Sequence, residues 1–131
     1  MAFSIDMPAA AKRHLKAADR LVPGDCKDVA GYLYGIAAEC AVKAMMREAG
    51  LPPVKDRRDD PFYAHFPDLR TALRDLLQGR KGTPLIRFIN NDSFMNNWST
   101  EMRYSHGKDI DARWIDVWAE QARQAVTSIG T

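Results

Sequence analysis

The chain has 131 residues, 46% of them hydrophobic, with 19 basic against 17 acidic side chains, a formal net charge of +2 and a pI near 8.6. That length fits one domain over residues 1–131 with a single core, and the apolar share excludes a disordered chain. The basic excess falls short of the pronounced patch of a dedicated nucleic-acid binder, but leaves room for a local basic cleft.

The opening stretch, MAFSIDMPAAAKRHLKAADRL, has neither a long apolar core nor a secretory cleavage signal. No apolar run approaches the ~20 residues of a membrane span, so a cytoplasmic protein with no membrane partner is expected. Pro8 to Val22 reads as the first helix. Pro8 suits a first turn, and Met7, Ala11, Leu15, Ala18 and Val22 form a stripe at helical spacing. Pro23 and Gly24 then break it.

Asp25 to Ala49 reads as a long second helix, with Asp25 as N-cap and Gly50-Leu51-Pro52-Pro53 as the stop. Val29, Leu33, Ile36, Cys40 and Ala44 make one stripe, widened by Tyr32, Ala37, Ala41 and Met45. A helix apolar over so much of its circumference belongs at the centre of a bundle. Gly31 and Gly35, four apart, share a face. They suit close helix–helix contact, or space for a ligand or second subunit. Cys26 and Cys40 fall in this helix, fourteen positions and about 21 Å apart, beyond disulfide reach. Both read as reduced thiols. Cys40 suits core packing. Cys26 lies near a helix start, where the dipole favours thiolate, but no catalytic partner accompanies it.

Pro52 to His65 reads as a loop whose charges, Lys55 to Asp60, nearly cancel; a solvated loop or a mobile substrate loop would both fit. Phe66 to Gln78 is the third helix, striped by Phe66, Leu69, Leu73, Leu76 and Leu77. GRKG ends it, with Arg80 and Lys81 read as solubilising or phosphate-contacting cations. A fourth helix starts at Pro84 and carries Leu85, Ile86, Phe88 and Ile89. NNDSFMNNW is a turn or helix joint. Asp109 to Ile129 is the last helix, with Trp114, Val117, Trp118, Ala125, Val126 and Ile129 on its apolar side. No segment alternates as a strand. The expected fold is all-α, an antiparallel four- to five-helix bundle.

The densest chemistry lies in WSTEMRYSHG, Trp98 to Gly107. A histidine can serve as acid or base near neutral pH, and an arginine can hold a phosphate and stabilise charge building on it. Arg103 and His106 therefore suit metal-free RNA cleavage through the 2′-hydroxyl. The structural alternative pairs Arg103 with a carboxylate, packs Tyr104, and sets His106 near a helix end. On one helix, a separation of three would put both side chains on one face, although Gly107 suits a helix end. No phosphate-binding loop is present. His14, His65 and His106, with the two distant thiols, give no metal-ligand spacing, so neither metal nor cofactor is inferred. Glu39 and Lys43, four apart, have a favourable ion-pair orientation. A carboxylate on a central helix needs a partner, and Arg103 is the candidate.

Two stretches resemble the HEPN family (higher eukaryotes and prokaryotes nucleotide-binding domain). DVAGYLYGIAAECAVKAMMREAG, Asp28 to Gly50, is similar to its signature helix. WSTEMRYSHG and the last helix resemble the segment carrying its arginine. The likeness runs roughly from Ala9 to Ser128. It implies an antiparallel bundle, commonly a homodimer with a cleft across the two-fold axis. Active members are metal-independent endoribonucleases, many of them toxins paired with an antitoxin, often a small nucleotidyltransferase; others bind nucleotides or partners without catalysis. The active motif has a longer arginine-to-histidine spacing than the two residues, Tyr104 and Ser105, found here.

Three readings follow. The first is a HEPN-like module binding nucleotide, RNA or a protein partner through Glu39, Lys43 and Tyr104. The second is an endoribonuclease using Arg103 for phosphate and His106 as acid and base. The third is a bundle that only dimerises, with Trp114 and Trp118 as anchors or, equally, as core. Trp98 and Tyr104 are both expected to close the bundle around the site segment.

Overall fold

The structure is a computed structural model and describes residues 3–51, 56, 58, 60–77 and 84–131. Five α-helices and no strand occur among the described residues: α1 Met7–Leu21, α2 Lys27–Glu48, α3 Asp68–Leu76, α4 Leu85–Ile89 and α5 Ala112–Thr127. The expected all-α bundle is the observed architecture. Arg80, Lys81 and the expected end of the third helix at Gln78 lie outside the described residues, as do Pro52, Pro53, Val54, Lys55, Arg57 and Asp59 of the expected loop.

Local sequence sets each helix end. Asp6 caps α1, its carboxylate accepting from the Ala9 amide at 3.0 Å. The expected Asp25 cap of α2 does not form; Cys26 stands at that position, exposed and without a side-chain bond. Gly50, at φ +75°, ends α2 as expected. Its amide reaches the Arg47 carbonyl and the Leu51 amide reaches the Met46 carbonyl, which satisfies the last turn. Residues 22–26 turn α2 back along α1. Tyr34 of α2 donates to Asp19 of α1 at 2.6 Å, and Arg123 of α5 reaches the same carboxylate at 2.8 Å, tying three helices together.

α2 is central, but its stripe needs correction. Its most buried face runs through Ala30, Tyr34, Ala37, Ala38, Ala41, Val42, Met45 and Met46. Leu33, Ile36 and Cys40 are half-buried, and Val29 is exposed. The alanines on that face admit α1 and α5 closely, and Leu33, Ile36 and Cys40 fall to its flank. Val117 and Leu76 are likewise exposed.

The polar turn between α4 and Trp98 is a structural joint. It buries Phe94, Met95 and Trp98 while its backbone is satisfied by side chains from both sides. Arg70 of α3 donates to the carbonyls of Asn91, Asp92 and Phe94, at 3.3, 2.9 and 2.8 Å. Arg74 pairs with Asp92. From α5, Gln121 accepts from the Met95 amide at 2.7 Å, and Trp118 Nε1 donates to the Asn96 carbonyl at 2.8 Å.

The two helical glycines serve this joint. The Trp98 indole lies on the bare backbone of Gly35, and its Nε1 donates to the Gly31 carbonyl at 3.2 Å. Gly31 faces Ile115 and Trp118 of α5. Side chains of the same chain fill both spaces: Gly31 meets another helix as expected, whereas Gly35 meets Trp98 of the joint rather than a helix. Trp98 is buried as expected, stacked on Tyr32 with centroids 5.7 Å apart. Tyr104 is a correction: it is 83% exposed and closes nothing.

Candidate functional site

Beyond Trp98 the chain leaves the core in two short turns. Ser99 is extended, and its hydroxyl accepts from the Glu101 amide at 3.2 Å to start a 3₁₀ turn over Thr100–Tyr104. Ser105 returns to extended backbone, with φ −85° and ψ 165°. His106 is extended as well and caps a second 3₁₀ turn, Gly107–Asp109, its Nδ1 accepting from the Lys108 amide at 3.4 Å. Arg103 and His106 therefore stand on different turns. The expectation that a separation of three aligns them on one helical face fails, because extended backbone intervenes. Gly107 lies against Asp28 of α2, where a Cβ would come within 2.7 Å of the carboxylate.

Arg103 donates from Nε to its own turn's Thr100 carbonyl at 3.0 Å, and its guanidinium sits over the Tyr104 ring, 5.2 Å from the centroid. Arg103, Tyr104, His106 and Lys108 are all exposed. Beside them opens a cleft of about 530 Å³, lined chiefly by Met102, Tyr104, Ile110, Trp114 and Trp118. Trp114 is half-buried and Trp118 fully buried, their rings 6.1 Å apart. Core burial is thus the outcome for Trp118, while Trp114 stays half-buried in the lining of the cleft. Glu101 and Asp109 bring carboxylates to the same cleft.

Glu39 and Lys43 are both buried, at 3% and 7% exposure. The expected Glu39–Arg103 contact does not form. The Glu39 carboxylate instead accepts from His65 Nδ1 and from the Phe66 amide, each at 2.9 Å. These are the donors nearest to α2 where the chain re-enters the bundle, whereas Arg103 is held outward by its own turn. The expected Glu39–Lys43 ion pair is also absent. Burial pushes the neighbouring Cys40 thiol up, against the opposing pull of Lys43.

His65 is the residue that sequence reasoning missed. Its side chain is 51% exposed and lines a second cleft of about 720 Å³ with Asp60, Tyr63, Asp68, Ser99 and Glu101. The available signal was an internal carboxylate in need of a partner. Nothing in the sequence shows which of the chain's cations or histidines the fold would bring to it. No group of three histidine, cysteine, aspartate or glutamate side chains is placed to hold a metal among the described residues, and none is long and apolar enough among their helices to cross a membrane. Comparison with family models, with curated proteins and with solved structures found no match.

Proposed function

We propose that the chain is a HEPN-like helical module that binds single-stranded RNA without cleaving it through Arg103 and His106. The observation that carries this reading is the aromatic cleft beneath an exposed arginine–tyrosine pair. Its volume suits a small planar ligand. Aromatic faces stack unpaired bases, whose edges then need hydrogen-bond partners. Tyr104 and the half-buried Trp114 are the aromatic rings available for stacking, and the carboxylates of Glu101 and Asp109 can accept from exocyclic amino groups. Arg103 and Lys108 stand outside the cleft and suit the phosphates. Cleavage by Arg103 and His106 is the weaker reading, because the two occupy separate turns and His106 Nδ1 is engaged by the Lys108 amide. The family resemblance carries the further proposals of a homodimer and of an antitoxin or nucleotidyltransferase partner.

Anisotropy of a labelled single-stranded RNA tests the binding. With two phosphates neutralised, log K falls against log salt with a slope of about −1.4, and about −0.7 in Arg103→Ala. Tyr104→Ala weakens binding by about 1–3 kcal/mol for a stacked base. In chelator the RNA stays intact. Binding unchanged by both substitutions refutes the reading.

A further inference from the structure

The cleft lined by His65 adjoins the aromatic one, since Ser99 and Glu101 line both. A strand lying across Ser99–Glu101 reaches both clefts. The Glu39 side chain is 4% exposed and has both oxygens engaged, one by His65 Nδ1 and the other by the Phe66 amide. A proton held on Nδ1 by a carboxylate leaves the lone pair of the neutral ring on Nε2. Nε2 makes no hydrogen bond among the described residues, so the ring presents an acceptor of fixed direction to the cleft.

We propose that His65 Nε2 accepts a hydrogen bond from a ribose 2′-hydroxyl and so selects RNA over DNA, with Glu39 as the positioning residue. This rests on the RNA-binding reading above. The 2′-hydroxyl is the donor that RNA has and DNA lacks. The cleft favours a sugar over a phosphate, because Asp60, Asp68 and Glu101 line it and the guanidinium of Arg58, which also lines it, is paired with Asp56 at 3.0 Å. Phosphates are therefore left to Arg103 and Lys108, and the neutral sugar faces His65.

The test compares anisotropy titrations of one sequence as RNA, as DNA and as 2′-fluoro RNA, whose fluorine cannot donate. The wild type binds RNA roughly three- to tenfold more tightly than either of the others, the worth of one hydrogen bond. In His65→Asn the side-chain amide can still donate to Glu39 but Nε2 is gone; the preference disappears while DNA affinity is unchanged. Equal affinity of the wild type for the three sugars, or a preference that survives in His65→Asn, overturns this inference and leaves the aromatic site standing. Failure of all three to bind overturns both. If His65→Asn does not fold, ring 15N spectra of the wild type decide: the Nε2 signal moves with RNA and not with DNA, and an identical response to both refutes the assignment.

Discussion

Substituting Gly35 by alanine is the sharpest probe of the joint that positions the site segment. An added Cβ would lie 1.8 Å from Trp98 Cε2 and 1.9 Å from Nε1. Carbon atoms pack at about 3.5 Å, so the indole must retreat by more than about 1.5 Å. It has nowhere to go: it is 2% exposed, stacked on Tyr32 and met edge-on by Phe66 at 6.3 Å. Overpacking costs about 1–3 kcal/mol, and losing the Nε1 bond to the Gly31 carbonyl adds about 1 kcal/mol. Better helix propensity returns about 1 kcal/mol. The net loss is about 1–3 kcal/mol, which for a chain of this size lowers Tm by about 4–12 °C. Gly31→Ala is the control. Its nearest atoms, at 3.1 Å, belong to the Ile115 and Trp118 side chains and must give by only tenths of an ångström, so its melting stays close to wild type. Trp98→Leu combined with Gly35→Ala should melt above the sum of the single losses, because the clash is gone. Thermal melts by circular dichroism read the three single variants and the double variant beside the wild type. A Gly35→Ala protein melting within about 2 °C of wild type refutes the packing argument.

Three further outcomes follow from the same contacts. Arg70→Ala strips three carbonyls of their shared donor and costs about 2 kcal/mol by urea unfolding. Thiol titration with an aromatic disulfide labels exposed Cys26 quickly at pH 8, whereas half-buried Cys40 reacts more slowly; equal rates would contradict its raised thiol pKa. Stability falls as pH rises above the ordinary thiol value of 9.0: burial raises Cys40 and Tyr34 in the fold, the latter helped by its bond to Asp19, so the unfolded chain loses those protons first. Urea midpoints that are flat or rising between about pH 8.5 and 10.5 would contradict this sign.

Helix number, approximate helix limits and the centrality of α2 were legible because they rest on near-neighbour chemistry: periodic apolar spacing, Pro8 in the first turn of α1 and a left-handed Gly50 after α2. The close approach at Gly31 and Gly35 was legible for the same reason, since a missing Cβ on one helical face is a local fact. Partner choice was not. The sequence requires that Glu39 be satisfied, yet a carboxylate accepts equally from an arginine, a histidine or an amide; only the path of the chain into α3 puts His65 and Phe66 against it. Tyr104 shows the same limit in reverse. Its aromatic ring suits a core, and it lies outside because the turn that carries it departs from the bundle just after Trp98 has filled the space over Gly35. Burial of a side chain beyond its own helix is decided by which surface arrives there first, and that is a property of the whole fold.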